Sequence, residues 1–219
     1  MIFTSVFRSS LVFTLMLLFS SLVFSGEQGV HVAGPKEVAE GAAKRLTDRL
    51  IEDKSLIATT PNRIKVLVEQ ELLPIFDEKL IARLVMSSSW KKADDAQKEA
   101  FMHAFRNILI KTYSNAFSAY DGQDMEFKEP IFNKDKKKAI VRSRILQEEK
   151  MPILVDFRLR KAANGWLVYD AVIEGVSIVK SYRSQIKEKI SEKGIPLMIK
   201  DMEIEACGTG GCEGGKREV

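Results

Sequence analysis

The apolar positions in the first half of the chain recur at helical spacing. In residues 35–53 they fall three and four residues apart, which predicts an amphipathic helix. Thr60 and Pro61 predict the start of a second helix, with Thr60 as the N-cap and Pro61 at the first helical position. The Leu-Pro pair at 73–74 predicts the end of that helix, and Asp77 predicts the cap of a short third one.

The longest predicted helix begins at Asp94 or Asp95 and runs to about Tyr120. Its apolar side chains keep to one broad face, as expected for a helix that packs against another layer. The Asp-Gly pair at 121–122 predicts its end.

The pattern then changes to strands. Four β-rich segments, separated by turn residues, are predicted at 125–132, 139–147, 152–161 and 166–173. In the third, apolar residues alternate with largely charged ones, which is typical of an antiparallel sheet with one solvated face. On that face Arg142 and Arg144 are expected opposite Asp156.

A further helix is predicted from Ser177 to about Ile190. Gly194 is predicted to stop it, and Pro196 can open a last short helix. The order of elements predicts an α+β domain in which helices cover one face of a four-stranded antiparallel sheet.

The N-terminus has the pattern of a secretory signal. Arg8 precedes an apolar run at residues 11–24, which is shorter than the about 20 residues of a membrane span, and small residues follow. We expect cleavage near Ser25 and Gly26; the alternative is an uncleaved N-terminal anchor. The predicted organisation is a signal peptide at 1–25, a single domain at 26–206, and a Gly-rich tail at 207–219.

Composition narrows the class of protein. The apolar fraction of 45% excludes a disordered chain, and 34 basic against 30 acidic residues give no charge argument for nucleic-acid binding. One local cluster of lysines lies between two predicted strands, where we interpret it as a hairpin loop rather than a binding patch. Its members are Lys134, Lys136, Lys137 and Lys138.

Two cysteines, Cys207 and Cys212, lie near the C-terminus. An oxidising compartment would allow them to pair across a very short loop, which would stabilise little; the alternative is two free thiols. Neither histidines nor further cysteines stand nearby to complete a zinc site. We therefore expect no metal and no cofactor.

Candidate catalytic chemistry is sparse. The chain has two histidines and neither a Gly-x-Ser-x-Gly motif nor a phosphate-binding glycine loop. Asp170 is the best candidate acid or base, although a lone carboxylate on a strand is usually structural. We expect no catalytic residue: Ser177 caps the following helix, and Asp170, Glu174 and Gly175 shape the corner before it.

Large aromatic side chains concentrate on the long helix and on the sheet. Periodicity leaves two interpretations open, since these side chains can interlock as a plain core or surround a cavity. They are Phe101, Phe105, Tyr113, Phe117, Tyr120, Phe127, Phe132, Phe157 and Trp166.

Several blocks of the sequence resemble one protein family. They are Leu-Pro-Ile-Phe-Asp at 73–77, Trp90, the aromatic positions of the long helix, Val-Asp-Phe-Arg-Leu at 155–159, and Asn-Gly-Trp-Leu-Val-Tyr-Asp-Ala-Val-Ile-Glu-Gly-Val-Ser at 164–177. Together they resemble the MlaC-type periplasmic phospholipid carriers, also called the toluene-tolerance auxiliary family.

The resemblance implies an NTF2-like fold, in which helices and a strongly curved sheet enclose a deep apolar pocket. It implies a periplasmic carrier that buries the acyl chains of a glycerophospholipid and maintains outer-membrane lipid asymmetry. The implied partners are an outer-membrane lipoprotein–porin complex and an inner-membrane complex of an MCE protein with an ABC transporter. The alternatives are a carrier of another apolar lipid, such as a hopanoid, or an isomerase or dehydratase using Asp170 with Tyr113 or Tyr120.

Residues for the pocket follow from their helical face or strand parity together with the resemblance. No convergent set of arginines or lysines appears on the inward positions, so we expect the lipid head in water at the pocket mouth. The predicted lipid-contacting residues are Leu84, Phe105, Leu109, Tyr113, Phe117, Val155, Phe157, Trp166 and Val168.

Overall fold

The structure is a computed structural model that describes residues 33–60 and 62–207, without the side chain of residue 207. The predicted signal peptide at 1–25, Pro61 and the predicted pairing of Cys207 with Cys212 lie outside what is described. Five helices come first: α1 (Pro35–Glu52), α2 (Lys54–Thr59), α3 (Arg63–Glu71), α4 (Glu78–Met86) and α5 (Asp95–Ser118). Short 3-10 turns at Leu73–Ile75 and Ser87–Lys91 flank α4.

The second half is the sheet and the last helix. The strands are β1 (Met125–Phe127), β2 (Ile131–Phe132), β3 (Lys138–Ile145), β4 (Ile153–Ala162), β5 (Gly165–Ile173) and β6 (Val176–Ser177), and helix α6 (Ile178–Cys207) follows. The strands pair antiparallel in the order β1-β3-β4-β5-β6, and β2 also pairs with β3. The predicted α+β class is confirmed.

The predicted start of α5 and the predicted cap of α4 are both confirmed. Asp94 Oδ1 accepts a hydrogen bond from the Gln97 backbone N–H at 2.8 Å, and Gln97 Oε1 accepts from the Asp94 N–H at 3.2 Å, which forms a capping box. Asp77 Oδ1 accepts from the Leu80 N–H at 3.1 Å at the start of α4. The predicted N-cap at Thr60 is wrong, because α2 extends to Thr59 and Asn62 holds the N-cap position of α3.

The sheet has six strands where the sequence predicted four. The first predicted strand is divided into β1 and β2, and Pro130, which has no N–H to donate to a ladder, lies between them. A tight turn also adds β6, with φ of +49° at Glu174 and +79° at Gly175. Glycine adopts such a φ without the steric cost that a Cβ imposes.

A β-bulge interrupts the pairing of β4 with β5. Arg158 lies opposite Asp170, whereas Leu159 lies opposite Val168, so Tyr169 is an extra residue in β5. Because side chains alternate along a strand, the extra residue reverses the parity of β5 at this point. Odd-numbered residues after the bulge and even-numbered residues before it therefore share one face.

Two apolar layers hold the fold together. One lies between α4, α5 and α6 and includes the fully buried side chains of Val85, Phe101 and Met198. The other packs α1 on the sheet, where Ala39 meets Leu159 and Val168. Among the described helices, none combines the length and the apolar character that a membrane span requires.

Helix α6 folds back on itself at Gly194, whose φ is +78°. Lys193 bonds Asp201 at 2.5 Å, and Lys189 bonds Glu205 at 3.1 Å, across the bend. The predicted interruption at Gly194 is confirmed, and the segment that follows packs against α5.

The solvated face of the sheet carries ion pairs. Arg142 lies opposite Asp156 in register, with 3.8 Å between Nε and Oδ2, and Arg144 bonds Glu126 at 2.6 Å. The predicted charged face is confirmed, and each of these two arginines pairs with a carboxylate. Arg144, however, lies opposite Leu154 and not opposite Asp156 as predicted.

Candidate functional site: an apolar cavity between helix α5 and the sheet

A cavity of about 500 Å³ lies between α5 and the curved sheet, with α1, α3 and α4 completing its wall. Its lining is almost entirely apolar. The residues are Ala43, Leu46, Thr47, Leu50, Val68, Leu72, Leu73, Phe76, Glu78, Ile81, Ala82, Met102, Phe105, Arg106, Leu109, Ile110, Tyr113, Ala116, Phe117, Tyr120, Met125, Ile145, Ile153, Val155, Phe157, Ala171, Ile173 and Ile178.

Two periodicities build the main walls. Phe105, Leu109, Tyr113 and Phe117 follow one another at four-residue steps and share one face of α5. On β4, Val155 and Phe157 are two residues apart and point to the same face of the sheet. These six predicted residues line the cavity, and their contact with a lipid stays a prediction.

The other three predicted residues lie outside the cavity lining. Trp166 and Val168 are buried on the expected face of the sheet, but they belong to the cluster where α1 packs directly on β3, β4 and β5. Helix α1 brings Val38 and Ala39 against this part of the sheet, so Trp166 and Val168 pack in that core and not in the cavity wall.

Leu84 also lies elsewhere than predicted. It packs into the core formed by α4, α5 and α6, and its carbonyl oxygen accepts a hydrogen bond of 2.6 Å from Arg183 Nε of α6. The cavity side of α4 is formed instead by Ile81 and Ala82.

Sequence reasoning missed the contribution of α1. Ala43, Leu46 and Leu50 line the cavity at three- and four-residue steps, a signal that was visible but that did not distinguish a cavity wall from a core face. It also missed the partly exposed isoleucines at one end of the sheet. Ile145 at the end of β3 and Ile153 at the start of β4 lie opposite each other.

One ion pair stands on this apolar wall. Arg106 Nε donates to Glu78 Oε1 and its terminal nitrogen donates to Oε2, both at 2.7 Å, so the two side chains bind in a bidentate manner. The two side chains are 28% and 34% exposed. The hydrogen bond to Glu78 raises the pKa of Arg106, which therefore stays cationic. Among the described lining residues these two are the charged ones.

The other polar groups of the lining are hydroxyls. Burial raises the pKa of the Tyr113 phenol, so this group stays neutral at ordinary pH. The Tyr120 hydroxyl donates to the Gln123 carbonyl at 2.9 Å. Thr47 supplies a third hydroxyl from α1.

Asp170 lies in the corner between the sheet and α6 and does not line the cavity. Its Oδ2 accepts from Arg158 at 2.9 Å and from Ser177 Oγ at 2.7 Å, and its Oδ1 accepts from the Val179 N–H at 3.1 Å. Ser177 Oγ in turn accepts from the Lys180 N–H at 3.1 Å, so its predicted role as a helix cap is confirmed.

The corner is completed by Glu174, whose carboxylate accepts a hydrogen bond from the Leu154 backbone N–H. The hydrogen bonds of Asp170 and Glu174 join β4 and β5 to the start of α6. Within the described residues, no group of three or more metal-ligating side chains is assembled.

A curved, unclosed antiparallel sheet with helices around an apolar cavity defines the NTF2-like class of α+β folds. The profile of the MlaC protein family matches residues 40–204, and the chain belongs to this family. The resemblance drawn from the sequence is confirmed.

Two curated proteins are similar along most of this chain. The intermembrane phospholipid transport system binding protein MlaC of Haemophilus influenzae is 24% identical over 197 residues, which cover 89% of this chain and 92% of that protein. Toluene tolerance protein ttg2D of Pseudomonas putida is 24% identical over 164 residues, which cover 74% and 76%.

A solved structure has the same fold. It is a phospholipid-binding protein from Ralstonia solanacearum in complex with a phospholipid, with a TM-score of 0.75 and 24% identity. The match covers 80% of this chain and 98% of that one.

Proposed function

We propose that this protein is a periplasmic carrier of glycerophospholipids that holds acyl chains in the cavity between α5 and the sheet. The observation that carries the proposal is the cavity itself, because about 500 Å³ lined by aliphatic and aromatic side chains suits hydrocarbon and little else. The name of the Haemophilus influenzae relative and the phospholipid bound to the Ralstonia protein support the same ligand class.

The size of the cavity sets the scale of binding. If a methylene group takes roughly the 30 Å³ of a liquid water molecule, the cavity accommodates about 17 of them. That is one long acyl chain, or the inner parts of two. At about 0.8 kcal/mol per buried methylene, the gross gain is on the order of 13 kcal/mol before the costs of ordering the lipid.

A carrier of this kind needs no covalent step. Its work is to remove the hydrophobic barrier that acyl chains meet in the aqueous space between two membranes. The sequence has no phosphate-binding glycine loop, so the energy for directed transport comes from a partner.

For partners, we infer that the protein shuttles between an outer-membrane lipoprotein–porin complex and an inner-membrane complex of an MCE protein with an ABC transporter. Support comes from the family and from the relative's name, which places that protein in an intermembrane transport system. The expected signal peptide would deliver the chain to the periplasm.

The test is to purify the protein from its native periplasm, extract the bound lipid and identify it by mass spectrometry. We expect diacyl glycerophospholipids at a defined stoichiometry. A hopanoid or isoprenoid as the main species, or a cavity that stays empty during titration with phospholipid, would overturn the proposal.

A further inference from the structure

A group of lysines stands at the end of the sheet opposite Ile145 and Ile153. The turn at 133–138 joins β2 to β3, and the turn at 162–165 joins β4 to β5. The two turns are adjacent, because the Lys161 N–H donates to the Lys137 carbonyl at 2.8 Å. We call this surface the basic tip. It consists of Lys134, Lys136, Lys137 and Lys161.

The charges of the basic tip are unbalanced. All four lysines are exposed, and none forms an ion pair with another described residue. The acid within the turn, Asp135, directs its carboxylate at the Lys137 backbone N–H at 3.1 Å. On the neighbouring strands, by contrast, Arg142, Arg144, Arg158 and Arg160 each face a carboxylate. The turns therefore carry more cations than their one acid, Asp135, can balance, although its carboxylate also attracts the charge of Lys137.

Exposed apolar side chains stand beside these lysines. Ile131 is 50% and Phe132 43% exposed on the edge strand β2, which leads directly into the lysine turn. Consecutive residues of a strand point to opposite faces, so each side of this edge presents one apolar side chain. The Phe132 ring lies 5.8 Å from the ring of Trp166, which is fixed in the core.

The sequence alone favoured a plain hairpin loop here over a binding patch. Because the structure places Lys161 and two exposed apolar side chains beside that loop, we propose that the basic tip docks on an anionic phospholipid surface. Lysines near a negatively charged bilayer each strengthen binding by roughly fivefold, and adjoining apolar side chains enter the interface between head groups and acyl chains. Interfaces between proteins are depleted in lysine and enriched in arginine and aromatic residues, which favours a membrane over a protein partner. The proposal goes beyond the carrier function and does not depend on it, because the basic tip does not line the cavity.

The test measures binding of the purified protein to sedimented vesicles of phosphatidylcholine alone and of phosphatidylcholine mixed equally with phosphatidylglycerol. We expect binding to the anionic vesicles, with an affinity that falls as NaCl is added. Replacing Lys134, Lys136, Lys137 and Lys161 by glutamine should weaken it by roughly six hundredfold, which is about fivefold for each of the four lysines.

A matched control removes the same formal charge elsewhere. Lys91, Lys92, Lys187 and Lys200 are exposed, without an ion pair to a described residue, and distant in sequence from the two turns. Their replacement by glutamine should leave vesicle binding nearly unchanged. A second variant, Ile131→Ser with Phe132→Ser, keeps the charges and should weaken binding while preserving its salt dependence.

Three results would overturn the proposal. One is equal binding of the wild type to neutral and anionic vesicles, and another is equal loss in the control and in the tip variant. The third is that the wild type binds neither kind of vesicle, while the tip variant loses lipid transfer with native membranes. That result would indicate that the basic tip binds an acidic protein and not a lipid surface.

Discussion

Arg106 of α5 donates two hydrogen bonds of 2.7 Å to the carboxylate of Glu78, at the start of α4, across the wall of the cavity. The pair joins two helices and places two opposite charges on an otherwise apolar surface. Because the charges neutralise each other, the described lining offers no unpaired cation to a lipid phosphate.

It follows that the carrier should discriminate poorly between head groups. We expect phosphatidylethanolamine and phosphatidylglycerol with identical acyl chains to bind within about tenfold of each other, or about 1.4 kcal/mol. Competition between the two lipids for the purified, delipidated protein measures this. A preference of about a hundredfold would show a polar recognition site that the described lining does not contain.

The ion pair itself should contribute modestly to stability. Arg106→Met leaves a partly buried carboxylate without its partner, and we expect a loss of about 1–2 kcal/mol in the free energy of unfolding. The double variant Arg106→Met with Glu78→Leu should lose less than the sum of the two single variants, since neither charge is then left alone. Urea unfolding of the four proteins measures the coupling, and strict additivity would contradict it.

Filling the cavity should expel lipid without unfolding the protein. Ala171 of β5 lies opposite Phe157 and lines the cavity, so Ala171→Phe places a ring in the void. We expect the bound lipid per protein to fall at least about tenfold, as the loss of a few buried methylenes implies. Ala163→Phe in the exposed turn after β4 is the control, and equal lipid content in both variants would argue against this cavity as the site.

Asp170 should matter for stability and leave lipid binding intact. Asp170→Asn removes the charged acceptor of Arg158 in a site where Asp170 is only 4% exposed, and we expect a loss of about 1–3 kcal/mol. Below its unfolding temperature the variant should still bind phospholipid. A stable Asp170→Asn protein that had lost a pH-dependent activity would favour the isomerase or dehydratase alternative.

Acid should weaken the junction of α1 with α3. Hydrogen bonds from Arg63, with a contribution from Arg49, lower the pKa of Asp53 below its ordinary value of 3.8. A carboxylate whose pKa is lower in the folded than in the unfolded state makes its full contribution to the free energy of unfolding above about pH 4, the unfolded-state pKa. This contribution is lost as the pH falls through the folded-state pKa.

The stability difference between the wild type and Asp53→Asn should therefore shrink as the pH is lowered from neutral to below about 3. Denaturant unfolding at several pH values measures it. Asp48→Asn, whose carboxylate pairs with the exposed Lys44, is the control. A difference that stays constant with pH would contradict the role of Asp53.

Local signals predicted local structure well. The caps at Asp77, Asp94 and Ser177 depend on one side chain and the three residues after it, so a single sequence contains the whole interaction. The alternation along β4 and the bend at Gly194 are of the same kind. The division of the first strand at Pro130 was missed, although proline cannot donate to a ladder and the signal was present in the sequence.

The position of the cavity could not be predicted in the same way, because it depends on contacts between elements that are distant in the sequence. The alternation along the strands places Val155 and Trp166 on the same face of the sheet, toward the helices. Val155 nevertheless lines the cavity, whereas Trp166 packs in the core against α1. The distance from the sheet to the next layer decides between them. Arg106 was missed for a related reason, because its partner Glu78 lies 28 residues away on another helix.

The extra residue Tyr169 has a consequence for how this chain can vary in evolution. β5 consists of two half-strands of opposite phase, with Val168 before the bulge and Ala171 after it on the same face. Substitutions on either half leave this phase intact. Deleting Tyr169 itself would restore regular alternation, with Val168 and Ala171 still on the same face, and would remove the bulge. Deleting another residue of β5 while the bulge stayed in place would turn one half over, exposing either the core beneath α1 or the wall of the cavity. Relatives that keep the cavity should therefore either keep both the bulge and this length of β5 or lose the two together.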